Sequence, residues 1–254
     1  MKLIIFKIFI AVSYFLMIYI NYLANSLPIN NRNTGQISSD YPSLFTPSGY
    51  AFSIWGIIYV LLGIYAFKTI LASSDNFTEQ YTYVVMGLFV LTSILNVFWL
   101  LSWHYDRIIL STIVMLLFLI TNIIIVNKIP ATEVLMKTTF SIYAGWIMIA
   151  FVANITIMLV KLDIPLFSNN EVLWYSLVIT ICLAIASLLL IFDKNVVYGL
   201  VFIWAFLAIF LKHFAKNGYH LTTSLPVIYT AAIIVMIAGL TIWRFISNGY
   251  KFFA

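Results

Sequence analysis

Eight apolar runs dominate this sequence, and each is long enough to be one crossing of a lipid bilayer. They lie at 3–25, 49–72, 81–104, 108–127, 139–160, 172–192, 196–215 and 225–247. A helix rises about 1.5 Å per residue, so about 20 apolar residues cover the hydrocarbon layer. Within that layer the backbone must satisfy its own hydrogen bonds, which a helix does inside one segment. The expected fold class is an all-α integral membrane protein with about eight transmembrane helices. Composition agrees, at 64% hydrophobic and 8% charged. A soluble domain carries roughly 25% charged residues, and no soluble core could hide so much apolar surface.

The connectors are short and polar. The longest, 26–48, is the one stretch of ordinary water-soluble composition. Pro28, Pro42, Pro47, Pro130, Pro165 and Pro226 fall in connectors or at helix starts, where a missing N–H costs nothing. No proline interrupts a span, which weighs against the broken helices of many ion-coupled transporters. The first run opens with Lys2 and Lys7 and ends near Leu-Ala-Asn-Ser, as a secretory leader would. Its apolar part exceeds the roughly 7–15 residues of a leader, so it is expected to be retained as a span.

Eight spans put both termini on one side. That side carries Lys2, Lys7, Lys68, Lys128, Lys137, Lys194, Arg244 and Lys251; the other carries Arg32, Arg107, Lys161, Lys212 and Lys216. The positive-inside rule then places both termini in the cytoplasm. The expected location is a prokaryotic inner membrane. The net charge of +5 is scattered singly at span ends, so no nucleic-acid partner is expected; lipid is. Cys182 lies in an apolar run and reads as a small lipid-facing or core residue.

No constellation for catalysis is visible. His104, Asp106 and Arg107 form a tight turn, and Lys212 and His213 sit near a span end. No second ligand stands at metal spacing from His104. No nucleophile elbow, phosphate loop or buried carboxylate pair occurs, so no enzymatic activity and no metal are expected. The sequons Asn76-Phe77-Thr78 and Asn154-Ile155-Thr156 read as chance.

The spans hold aromatic bulk and isolated amides instead. Trp174 and Trp243 lie near the interfaces, as an aromatic belt would. Trp55, Trp99, Trp146 and Trp204 lie deeper. Asn96 and Trp99 are three apart, Trp55 and Tyr59 four apart, and Trp146 and Asn154 eight apart. Each pair shares one helix face. Two readings fit these stripes: amides gluing spans together, or a pocket for a flat apolar ligand.

Three local motifs carry a family resemblance. The first is Phe45-Thr46-Pro47-Ser48-Gly49-Tyr50-Ala51-Phe52-Ser53-Ile54-Trp55 with Tyr59. The second is Leu95-Asn96-Val97-Phe98-Trp99 with Arg107 in the following turn, and the third is Tyr143-Ala144-Gly145-Trp146 with Asn154. In order and placement they resemble the TspO/MBR family, the tryptophan-rich sensory proteins related to the translocator protein. The loop departs from the family pattern, with Thr46-Pro47 in place of a double proline and Tyr50 in place of a tryptophan.

The resemblance implies a five-helix membrane domain at 1–161, followed by a three-helix extension at 162–254. It implies a membrane ligand-binding or sensor protein whose pocket takes a porphyrin or sterol-like lipid. Trp55, Tyr59, Asn96, Trp99, Trp146 and Asn154 would line or brace that pocket, with Tyr50 and Phe52 in its lid. No resident cofactor is implied beyond a porphyrin- or haem-type ligand. A homodimer would suit the family, although no Gly-x-x-x-Gly pair marks an interface. The alternative reading is a transporter of a hydrophobic or amphipathic small molecule.

Overall fold

A computed structural model describes residues 2–26, 29–41, 43–73, 80–164, 170–216 and 224–254. Pro28, Pro42, Pro165 and the sequon at 76–78 lie outside the described residues. Among the described residues the chain is helical and has no strand. The long helices are α1 (Lys2–Ser26), α3 (Ile54–Leu71), α4 (Gln80–His104), α5 (Ile108–Lys128), α6 (Val134–Lys161), α7 (Glu171–Leu188), α8 (Val196–Lys216) and α9 (Leu225–Ser247). Among the described residues eight helices are long and apolar enough to cross a membrane. The expected all-α, eight-span architecture is what the chain adopts.

The expected span limits hold closely except at the fifth. It begins at Val134, five residues before the expected start at 139. Lys137 made that first turn look too polar. Its ammonium bends back onto the end of α5 and donates to the carbonyls of Ile129 (2.8 Å) and Val126 (3.4 Å). The charge thus serves the last carbonyls of a neighbouring helix, where a cation is favourable.

The connector before the second span contains a short helix, α2 (Thr34–Asp40). Asn33 and Gln36 cap its start reciprocally. The Gln36 N–H donates to Asn33 Oδ1 and the Asn33 N–H to Gln36 Oε1, both at 2.8 Å. This is a capping box, with Asn in the usual Ser or Thr position.

Packing divides the chain into two compact units. The first comprises Met1–Ile37 and Ile54–Ile147, and the second Ser38–Ser53 and Met148–Ala254. This is a division by packing, distinct from the motif-based boundary at 161. In the first unit α1 packs on α3 and α4, and α4 on α5. Gly63 sits where α1 meets α3. A Cβ there would run into the phenol of Tyr14, whose hydroxyl donates to the Tyr59 carbonyl at 3.0 Å.

In the second unit α9 packs on α7 and α8. Gly199 of α8 lies against Thr241 of α9, and no Cβ fits between them. Small residues allow such close approach where lipid supplies no hydrophobic drive. The hydroxyls of Tyr175 and Thr230 bond α7 to α9. The α7–α8 turn begins with a π-helical turn at Leu189–Asp193 and places Lys194 at φ 53°. Its open ends are closed from α9 and the tail. Arg244 donates to the Ile191 carbonyl (3.0 Å), and the Val196 N–H donates to the Phe252 carbonyl (2.9 Å). Cys182 is buried in α7, which selects the core reading over the lipid-facing one.

Candidate functional site

Five of the eight site residues expected from sequence converge in the first unit. Trp55 lies in the first turn of α3, and Tyr59 one turn on. Their rings stack at 5.4 Å and 20°. The other side of the contact is Trp99 of α4, stacked on Trp55 at 5.8 Å and 26°. From α6, Trp146 meets Trp55 edge-on at 6.3 Å, and Tyr143 does so at 6.1 Å. Trp103 extends the stack one turn along α4, at 6.1 Å from Trp99. These separations are those of touching aromatic rings. Trp99 and Trp146 are buried while Trp55 is half-buried.

A chain of polar side chains, buried beyond the half-buried Tyr59, runs beside the rings. Tyr59 donates its hydroxyl to Asn21 Oδ1 at 2.6 Å. Asn21 in turn donates to Asn96 Oδ1 at 2.7 Å and to the Met17 carbonyl of its own helix at 2.9 Å. Asn96 donates to the Tyr143 hydroxyl at 3.4 Å. One turn away, Asn122 of α5 donates to Thr92 Oγ1 of α4 at 2.7 Å. Thr92, Asn96, Asn122 and Tyr143 are fully buried. One path of hydrogen bonds therefore joins α1, α3, α4 and α6, and a separate bond ties α5 to α4.

Sequence reasoning missed Asn21 and Tyr143 as members of this site. Tyr143 stood in the third motif but was given no role. Asn21 is an amide inside an apolar run, and that was the available signal.

The indoles differ in how their N–H groups are satisfied. Trp103 donates to the Thr34 carbonyl at 3.2 Å. Asn30 donates to the His104 carbonyl at 3.1 Å. Both bonds fix the first part of the 26–48 connector to the end of α4. By contrast, Trp99 Nε1 is buried with no acceptor among the described residues. An N–H left so in an apolar site costs about 1–3 kcal/mol.

The remaining expected residues, Tyr50, Phe52 and Asn154, belong to the second unit. Asn154 is buried and donates to the Ala150 carbonyl of its own helix at 3.0 Å. Tyr50 is exposed and meets Trp204 edge-on at 5.5 Å. Here the segment 43–53 is bound to α8. Lys212 donates to the Thr46 carbonyl (3.0 Å), His213 Nε2 to the Leu44 carbonyl (2.7 Å), and Trp204 Nε1 to the Ala51 carbonyl (3.1 Å). In the other direction the Ser48 hydroxyl donates to the Ala208 carbonyl at 3.1 Å. The deep Trp204 is thus a loop anchor.

A family model described as TSPO-like protein matches residues 7–244. The chain belongs to that family. The match runs from within α1 to within α9 and so reaches into all eight spans, and all three expected motifs lie inside it. Comparison with curated proteins and with solved structures returns no match. This TSPO-like chain therefore carries its aromatic cluster and its loop anchor inside one family-defined region. Among the described residues no group of three or more His, Cys, Asp and Glu is placed to hold a metal ion.

Proposed function

We propose that this TSPO-like protein binds a flat, apolar small molecule of the tetrapyrrole or sterol-like class at the Trp55–Trp99–Trp146 cluster. The observation that carries the reading is the buried Trp99 N–H without an acceptor, set in a wall of stacked rings. A packed core has no need to strand a donor there. A ligand packed against the exposed edge of the half-buried Trp55 and offering an oxygen or nitrogen lone pair would satisfy it. Family resemblance supports the class of ligand.

Binding, rather than catalysis, suits the groups present. The polar chain consists of amides, phenols and a threonine, none of which is a strong acid or base near neutral pH. The protein acts as a sensor or carrier whose state is set by occupancy. It does so as a multi-pass protein of a prokaryotic inner membrane, with both termini cytoplasmic.

Titration with protoporphyrin, read by tryptophan fluorescence, tests the proposal. Saturable quenching is expected in the native chain. Trp99→Phe keeps the ring and removes the donor, so it should weaken binding by about tenfold, the cost of one buried hydrogen bond. Linear, non-saturating quenching, or equal affinity in Trp99→Phe and Trp146→Ala, would overturn it.

A further inference from the structure

A cleft of about 490 Å³ opens in the first unit, away from the aromatic cluster, where α3 ends and α6 begins. Phe67, Lys68 and Thr69 of α3, and Glu133, Leu135 and Thr139 at the start of α6, are among its walls. Spans end or begin on each of its sides, at Leu71, Thr82 and Val134. Its mouth therefore lies at the depth where hydrocarbon gives way to lipid headgroups. Thr139 is six residues beyond Glu133, about 9 Å deeper along a helix.

The chemistry of the walls is mixed in a specific way. Lys68 and Glu133 are both exposed at the mouth. Neither side chain has a hydrogen-bond or ion-pair partner among the described residues. Thr69 and Thr139 spend their hydroxyl hydrogens on carbonyls of their own helices, Tyr65 and Leu135, both at 2.8 Å. They present only lone pairs to the cleft. Phe67 and Leu135 leave apolar surface exposed beside these groups.

We infer that this cleft seats the headgroup of a zwitterionic phospholipid bearing a primary ammonium. The phosphate would accept from Lys68. The ammonium would donate to Glu133 and to the threonine lone pairs, while the acyl chains run along Phe67 and Leu135. The volume falls within the roughly 300–1,000 Å³ of small-molecule sites. Two exposed charges of opposite sign, each without a partner among the described residues, ask for an occupant that carries both signs. An anionic lipid answers Lys68 but sets a like charge near Glu133. A trimethylammonium lipid supplies the charge without N–H donors.

Native mass spectrometry of the full chain in detergent, offered equal amounts of phosphatidylethanolamine, phosphatidylglycerol and phosphatidylcholine, decides the matter. Phosphatidylethanolamine should be retained about fivefold over each of the others, as one partly exposed ion pair allows. Glu133→Gln should erase the preference over phosphatidylglycerol, and Glu133→Lys should reverse it. Lys68→Gln should weaken retention of all three lipids alike, since each carries the phosphate. Equal retention of the three lipids, or a preference unchanged by Glu133→Gln, overturns the assignment. Both positions are exposed, so helix content by circular dichroism should match the native chain, and unchanged lipid retention in such folded variants counts against the site. Porphyrin affinity should not move in these variants, which separates this site from the aromatic cluster.

Discussion

Asn21 and Asn96 are the residues on which the first unit's polar chain turns. Each is a donor and an acceptor in the same path, so removing either strands two partners. Asn96→Ala should lower the stability of the detergent-solubilised protein by about 1–3 kcal/mol, because buried groups then lack partners. A double-mutant cycle of Asn21→Ala and Asn96→Ala, followed by thermal unfolding, should return a coupling of about 0.6–1.7 kcal/mol. A coupling near zero would mean that the two amides do not act together. Sequence marked Asn96 through its motif, whereas Asn21 carried no motif and became visible only once α1 was placed against α3 and α4. Trp99 and Trp146 were legible as deep tryptophans. Which indole lacks an acceptor was not, since that depends on carbonyls far away in the chain, such as Thr34 for Trp103.

At the level of elements, the helices were readable because lipid demands long apolar runs, and the run ends coincide with the helix ends. The exceptions have local causes. Lys137 masked the first turn of α6 by looking like a connector charge while serving the end of α5. The helix α2 was hidden by its length, although the Asn33 and Gln36 pair announces it. Asn33→Ala should cost about 1 kcal/mol and speed hydrogen exchange across 34–40. The binding of segment 43–53 to α8 was beyond any reading of local pattern, because its partners are about 160 residues apart in sequence. Lys212→Met together with Ser48→Ala should raise hydrogen exchange over 43–53 and leave α9 unchanged; unchanged exchange at 43–53 would show that these bonds do not hold it. Gly199→Leu should separate α8 from α9, since no side chain fits against Thr241, and would appear as loss of folded protein on size exclusion.

For the molecule as a whole, an even number of spans fixes a relation between the termini. Alkaline-phosphatase and green-fluorescent-protein fusions at residue 254 should report the cytoplasm, and fusions after Asp40 should report the opposite side. The reverse result would invert the topology without altering the span count. Span number and helical class followed from hydrophobicity alone. The family followed from three short motifs, and the family model extends that kinship through α9. The hydrogen-bonded path through four helices was not foreseeable in that way, because it joins positions from 21 to 143 that share no local pattern.

The anchoring of segment 43–53 has a consequence for how this protein drifts over generations. Trp204, Lys212 and His213 all reach main-chain carbonyls, at Ala51, Thr46 and Leu44. Every residue type supplies such a carbonyl, so the loop's side chains are left unconstrained by these bonds. The donors on α8 have no such freedom. Among homologues, positions 204, 212 and 213 should therefore tolerate less substitution than 44, 46 and 51. The loop signature is one place where this chain departs from the pattern it resembles, with Thr46 and Tyr50 where that pattern has proline and tryptophan. A grip on the backbone is what lets that wording change while the fold of the loop is kept.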